Sequence, residues 1–298
     1  MAYNIKDIKK DFKDKGIFYT PSELAELMKK YVDIKYNNVY DPTCGDGSLL
    51  AVFDDEIEKY GQEINGTQLD AAKERLNNFT GVCADTLKEP KFLDKKFDLI
   101  MANPPFSIRW EPRKDERFIE APTIPTAGKA DYAFLLHIIY LLSETGMAVV
   151  LNFPGILYRG NREGKIRKWM IEQNYIDRVV NIPKDTFVDT KIPTALIIIR
   201  KNRISTDIVF EDKTLKKERV VKLDEIKQND YILSVSNYIQ EDVQKMEVNP
   251  LELQREARKH TIAHLRNDII VDRMVCSIEG LDNMEFTNEI RNVLNEFN

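Results

Sequence analysis

Val39-Tyr40-Asp41-Pro42-Thr43-Cys44-Gly45-Asp46-Gly47-Ser48-Leu49-Leu50 reads as a short strand, a glycine turn and the start of a helix. Gly45 and Gly47 remove side chains where a ligand must come close to the backbone, and a helix N-terminus offers unpaired N–H groups. The segment is not the dinucleotide fingerprint, because Leu50 stands where GxGxxG needs its third glycine. It is not a P-loop either, since no Gly-Lys-Ser/Thr follows. Read alone, it is also compatible with a plain strand-to-helix turn.

Downstream, Lys59-Tyr60-Gly61-Gln62-Glu63-Ile64 reads as the next strand, followed by a helix from about Thr67 to Asn77. Gly81 to Leu87 reads as a third strand, ending in Asp85. As single residues Glu63 and Asp85 are ordinary loop acids. At two successive strand ends of an α/β sheet, Glu63 is placed to accept from ribose hydroxyls and Asp85 from an adenine amino group. A strand, a glycine turn and a helix without phosphate-binding chemistry suit a cofactor such as S-adenosylmethionine.

The next strand runs into Asp98-Leu99-Ile100-Met101-Ala102-Asn103-Pro104-Pro105-Phe106. An exocyclic amine on a heterocycle is a poor nucleophile, because its lone pair is delocalised into the ring. An Asn side-chain oxygen and a nearby main-chain carbonyl can both accept its hydrogens and draw the nitrogen toward tetrahedral geometry. Pro104 and Pro105 stiffen the backbone that presents the Pro104 carbonyl, and Phe106 offers a flat face to a base or a cation. Alone, the stretch is also just a loop after a strand.

Beyond it, Asp131 to Ser143 reads as a helix, Met147 to Leu151 as an apolar strand covered on both faces, Lys165 to Gln173 as a helix and Asp177 to Ile182 as a strand. Thr194 to Arg200 is a further strand, and no helix fits between these last two, so they pair antiparallel. A mixed, charged stretch then runs to about Lys222. Two segments, Ser107 to Lys129 and Pro154 to Lys168, read as long loops. The first carries Arg109, Trp110, Arg113, Lys114 and Arg117, the second Tyr158, Arg159, Arg162, Lys165, Arg167 and Lys168. Basic side chains beside aromatic ones suit a nucleic-acid backbone and its bases, or else a solvated mixed-charge loop.

Composition sets the frame. The chain has 298 residues, 43% hydrophobic and 31% charged, enough for one sizeable core and a small satellite. Cys44, Cys83 and Cys276 are scattered without metal or disulfide spacing, and Met1 to Lys10 is charged rather than apolar, which points to a cytoplasmic enzyme with no metal site. The net charge of −5 argues against autonomous duplex binding, so a partner is expected to supply much of any grip on DNA.

The ordered set of segments resembles the modification (M) subunit of type I restriction-modification systems, within the N6-adenine DNA methyltransferases. Gly16-Ile17-Phe18-Tyr19-Thr20-Pro21 resembles the upstream cofactor motif, and Asp41 to Leu50 the loop around the methionine part of the cofactor. Gly61-Gln62-Glu63 resembles the ribose-binding motif, Asp85-Thr86-Leu87 the adenine-end motif and Asn103 to Phe106 the catalytic motif. Ala130 to Phe134, Phe153 to Leu157 and Asn229 to Tyr238 fit the same order. The resemblance implies an α/β, Rossmann-like S-adenosylmethionine-dependent methyltransferase fold, mostly parallel with a reversed last strand, over residues 1–240, plus a helical C-terminal extension over 241–298.

It also implies transfer of a methyl group from S-adenosyl-L-methionine to N6 of a flipped adenine. The expected catalytic segment is Asn103, Pro104, Pro105 and Phe106. Expected around the cofactor are Phe18, Tyr19, Thr20, Pro21, Asp41, Thr43, Gly45, Gly47, Ser48, Leu49, Glu63, Asp85, Thr86 and Asn103. Phe106 and Phe187 are expected to stack on the base, and Arg159, Arg162 and Lys165 to meet the DNA backbone. The family's large N-terminal helical domain and a target-recognition domain are not visible, so sequence reading is expected to be delegated to a specificity subunit. Ile262, Leu265 and Ile269 fall at helical spacing, either to dock such a subunit or a second copy, or to pack on the core. Three alternatives stand beside this reading: a protein glutamine methyltransferase, a cytosine-N4 methyltransferase and a non-catalytic cofactor-binding scaffold in a defence complex.

Overall fold

A strand inside a parallel sheet is covered on both faces, so its apolar residues run together instead of alternating with polar ones. The computed structural model of this chain meets that condition at its centre, and describes residues 20–183, 193–241 and 250–279, with residue 288. Helix α1 (Ser22–Lys29) precedes β1 (Asn38–Asp41), β2 (Glu58–Glu63), α2 (Gly66–Arg75), β3 (Phe79–Cys83) and β4 (Phe97–Ala102). Next come α3 (Asp131–Leu141), β5 (Leu142–Asn152), α4 (Asn161–Glu172), β6 (Ile176–Ile182) and β7 (Thr194–Arg200). β8 (Ile208–Asp212), β9 (Lys217–Val221) and α5 (Leu223–Gln228) follow.

The strands form one nine-stranded sheet in the order β3-β2-β1-β4-β5-β7-β6-β8-β9. Pairing is parallel from β3 through to β5, with Tyr40 opposite Tyr60 on one side and Ile100 on the other. β7 runs antiparallel to both β5 and β6. The chain steps outward from β1 to β3 and then returns to β4 beside β1. The strand order reverses there, opening a crevice at the carboxyl ends of β1 and β4.

Alternate side chains of the central strands feed two cores. Ile100, Ala102, Ala148 and Val150 pack with α3, α4 and α5, while Leu99, Met101, Met147 and Val149 pack with Leu24 and Met28 of α1 and Leu69 and Ala72 of α2. Every residue of α3 from Asp131 to Ile139 is buried. A helix apolar on all sides belongs inside a protein.

Four sequence expectations change. The helix expected after the glycine turn is a single 3-10 turn, Leu50–Val52; β2 begins too soon after it for more. The third strand stops at Cys83, and Asp85 caps the following turn by accepting from the N–H groups of Leu87 and Lys88 at 2.9 and 3.1 Å. α4 begins at Asn161, so Arg162 and Lys165 stand on a helix and not in a loop. The charged stretch after Arg200 folds as the β8–β9 hairpin, antiparallel with Phe210 opposite Arg219. The antiparallel pairing of β6 with β7 is as expected, but β8 and β9 carry the sheet two strands further.

The chain divides into two compact units, one running to Glu241 and one starting at Asp242. The second unit contains α6 (Pro250–Glu279), 30 residues long. Ile262 and Leu265 are exposed on it, as are Val271, Met274, Val275 and Ile278, spaced i, i+3, i+4 and i+7 along one stripe. No described helix is long and apolar enough to cross a membrane.

Candidate active site

The crevice at the reversal point holds a cavity of about 740 Å³, lined from the ends of β1, β2 and β4, the turn after β3, the 108–111 segment, Thr20 and Phe134 of α3. That size is ample for a nucleoside cofactor together with part of a second ligand.

The glycine loop is tied down from inside. The Thr43 N–H donates to Asp41 Oδ1 at 2.9 Å and the Gly47 N–H to the Cys44 carbonyl at 2.8 Å. Ser48 is occupied locally, its hydroxyl donating to Asp46 Oδ1 at 2.6 Å, while Arg75 pairs with Asp46 at 2.9 Å. Gly45 and Gly47 both have positive φ, +53° and +78°. Glu63 holds the loop to β2: Oε2 accepts from the Gly45 N–H and Oε1 from the Asn65 N–H, both at 2.9 Å. An ionised carboxylate has about four lone-pair sites, so two main-chain bonds leave room for a diol.

Asp41 is wholly buried, and its carboxyl is pushed up to about 7, first by desolvation and then by the charge of Glu63, against the lowering effect of the Thr43 bonds. Burial also pushes the Cys44 thiol up, which leaves it a poor thiolate on the cavity wall. Thr86 donates its hydroxyl to the Pro42 carbonyl, joining the turn after β3 to the glycine loop.

Asn103 follows β4 immediately. Its Nδ2 donates to Thr20 Oγ1 at 3.1 Å, which orients the amide and leaves Oδ1 free of any described partner. An amide nitrogen already spent on an acceptor and an open acceptor oxygen are what an incoming amine requires.

Of the expected residues, Thr20, Asp41, Thr43, Gly45, Ser48, Leu49, Glu63, Asp85, Thr86, Asn103 and Pro105 converge on the cavity. Pro21, Gly47, Pro104 and Phe106 are not on its wall. Pro21 caps α1, Pro104 is buried, and Phe106 packs on the core beneath α1 and α2. Gly47 is turned instead toward Leu76 and Ala72. Phe18, Tyr19 and Phe187 lie outside the described residues.

The basic segments separate into inward and outward side chains. Arg159 is not a free phosphate ligand: its Nη1 pairs with Asp131 at 3.0 Å and Glu163 at 3.5 Å, because two buried acids lie beneath it. Arg117 is buried, donating to the carbonyls of Thr86 and Leu87 at 2.9 and 2.8 Å and pairing with Asp115. His137 meets Arg117 and the Tyr40 hydroxyl, and burial with the Arg117 charge pushes it well below the usual imidazole range, so it stays neutral. Arg162 and Lys165 are exposed on α4.

Sequence reasoning missed Ile64, Asn65, Gln68, Lys88 and Phe134 on the wall. Ile64 had a readable signal: an apolar residue next to the strand-end acid, 67% exposed, offers a flat surface to a ring. Phe134 had none, since nothing local distinguishes it from its buried neighbours on α3.

The N-6 DNA Methylase family model matches residues 3–219. The type I restriction enzyme MpnII methylase subunit of Mycoplasma pneumoniae is 32% identical over 300 residues, covering 80% of this chain and 55% of that protein. The type I restriction-modification system methyltransferase subunit of Streptococcus thermophilus superposes with a TM-score of 0.69 at 31% identity, over 75% of this chain and 59% of that one. A Listeria monocytogenes protein assigned to the class I S-adenosylmethionine-dependent methyltransferases shares the fold, with a TM-score of 0.50 at 15% identity over 67% of this chain and 69% of that one. The chain spans about half the length of the curated relatives it matches. With the reversal-point cavity and the strand-end Asn103, these likenesses settle the lineage: the chain belongs to the N-6 DNA methylase family.

Proposed function

We propose that this chain transfers a methyl group from S-adenosyl-L-methionine to the exocyclic N6 of adenine in DNA, as the catalytic part of a type I modification system. The observation that carries the reading is Asn103, held by Thr20 with Oδ1 open at the rim of the cavity.

The wall fits that cofactor. Glu63 retains lone pairs for ribose hydroxyls, Asp85 on the same wall is the proposed acceptor for the adenine amino group, and Ile64 offers an exposed apolar surface. The buried Asp41 carboxyl, raised to about 7, is a place where a cationic ligand would recover the charged form. When bound, the cofactor supplies a methyl group already activated on a sulfonium sulfur.

The chain supplies positioning and electrostatics. Asn103 Oδ1 accepts one amino hydrogen and the Pro104 carbonyl the other, so the nitrogen lone pair turns out of the ring toward the methyl group. The base must leave the duplex to reach this point. Phe106 and Phe187 are its proposed stacking faces, and Phe18, Tyr19, Thr20 and Pro21 the proposed upstream cofactor-binding motif. Arg162 and Lys165 on the open face of α4 are proposed phosphate contacts. A specificity subunit is the proposed reader of sequence, seated on the exposed apolar stripe of α6, with a second copy of the chain as the other occupant to test for.

The test is mass spectrometry of DNA from methylation-deficient cells expressing the chain with its specificity partner, beside an Asn103→Ala version. N6-methyladenine with the wild type alone, and cofactor affinity within a few-fold in the variant, is the expected result. N4-methylcytosine, or cofactor binding without any methylated base, would overturn it.

A further inference from the structure

Ser107 follows the catalytic segment directly and has φ +53°, a left-handed conformation that a serine adopts only when its surroundings hold it there. Its N–H donates to Asp131 Oδ1 at 2.9 Å, and its hydroxyl lies 3.4 Å from Asp131 Oδ2. Asp131 is 2% exposed at the first turn of α3. A buried carboxylate needs a cation, and Arg159 provides one: Nη1 reaches Asp131 Oδ2 at 3.0 Å and Nη2 donates to Ser107 Oγ at 2.9 Å. One guanidinium fork thus spans both partners of the turn.

The surroundings are cut to fit that fork. A Cβ on Gly155 would lie 2.9 Å from both Nε and Nη2 of Arg159, so glycine keeps the guanidinium in place. Glu163, 4% exposed, meets the same Nη1 at 3.5 Å from α4.

We propose that Asp131, paired with Arg159, is a positioning residue that sets the carboxyl-side end of the Asn103–Phe106 segment by holding the Ser107 main chain. Its effect on methyl transfer rests on the function proposed above; its effect on the Ser107 turn does not. The clamp bears on the Asn103 side of the cavity and not on the Glu63 and Asp85 side, because it holds Ser107 and none of Ser107, Asp131, Gly155 and Arg159 lines the wall.

The experiment compares the full chain with Asp131→Asn, Asp131→Ala, Arg159→Met and Gly155→Ala, with S-adenosylmethionine present. Three quantities are read: amide hydrogen exchange over residues 103–110, cofactor Kd by calorimetry, and single-turnover methylation of DNA with the specificity partner. In Asp131→Ala, exchange over 103–110 should rise roughly tenfold while β4 and β5 stay protected. Methylation should fall about 100-fold in Asp131→Ala and Arg159→Met, the scale expected when a catalytic group is displaced by about 1 Å. Cofactor Kd should stay within about threefold, because the Glu63 and Asp85 sides of the wall are untouched. Asp131→Asn, which keeps the acceptor for the Ser107 N–H, should retain more exchange protection than Asp131→Ala, and Gly155→Ala should resemble a partial Arg159 loss.

Unchanged exchange over 103–110 in Asp131→Ala overturns the proposal. So does a loss of methylation matched by an equal loss of cofactor affinity, which would mark a general structural defect. If even the wild type never methylates DNA, faster exchange in Asp131→Ala still supports the clamp and the failure falls on the proposed function.

Discussion

Asp41 shows how one residue can be both structural and chemical. Its carboxyl ties the glycine loop through Thr43 yet is held up to about 7 by burial and by Glu63. An unfolded aspartate titrates near about 4. The folded chain therefore keeps the proton over a range in which the unfolded chain loses it. Asp41's stabilising contribution is full below about 4 and is lost as pH rises through about 7. Asp41→Asn should flatten that part of the stability profile in urea titrations run at several pH values. A cationic cofactor bound beside Asp41, as proposed, would draw the carboxyl back toward its charged form, so binding near neutral pH should release a proton. Cofactor affinity should rise between pH 6 and pH 8, and calorimetric enthalpies at pH 7 should depend on the ionisation enthalpy of the buffer. Buffer-independent enthalpies would remove Asp41 from the site.

Between β1 and β2 the two loop glycines have separable jobs. Gly47 has φ +78°, and a Cβ there would come within 2.7 Å of Leu76 Cδ1 and 3.2 Å of Ala72 Cβ, pressing the turn against α2. Gly45 has φ +53° and nothing within 4 Å of such a Cβ, which would point into the cavity's open space. Gly47→Ala should lower stability by about 2–4 kcal/mol, combining left-handed strain with overpacking, and Gly45→Ala by about 1–2 kcal/mol. Gly45→Ala should lose more cofactor affinity. Urea midpoints and calorimetry separate the two, and the opposite ranking would mean the loop is held some other way. This element was legible because glycine spacing states a backbone need directly. Glu63 was legible for a related reason, since strand ends in an α/β sheet face the crevice, and Asp85 reaches the same wall from the turn two residues past the end of β3. The β8–β9 hairpin was not legible, since β8 turns from Ile208, Val209 and Phe210 to Glu211 and Asp212, and β9 opens on Lys217, Glu218 and Arg219, which leaves no sustained apolar alternation to read. Nor was the direction of Arg159, because a run of cations does not say which of them meets a buried acid.

Across the whole molecule the electrostatics set how DNA can be held. The net charge is −5, and many cations are used internally: Arg117, Arg159 and Arg167 bond within the fold, Arg178 pairs with Glu211 and Arg200 with Asp177. Arg162 and Lys165 stand exposed on α4 with no ion-pair partner among the described residues. Phosphate contacts release counterions, so each lowers the slope of log K against log salt by about 0.9 on a duplex. Two phosphate contacts, at Arg162 and Lys165, should give the chain alone a shallow slope on duplex DNA, about −2, and weak binding at physiological salt. Arg162→Ala and Lys165→Ala should each reduce the magnitude of that slope by about 1, whatever the sequence, while leaving cofactor affinity unchanged. Fluorescence anisotropy over a salt series reads this directly. If a specificity subunit is the reader of sequence proposed above, adding it should steepen the slope and introduce sequence preference together, since it would supply both further cations and base contacts. A steep slope for the chain alone, insensitive to both substitutions, would place the DNA-binding surface elsewhere than α4.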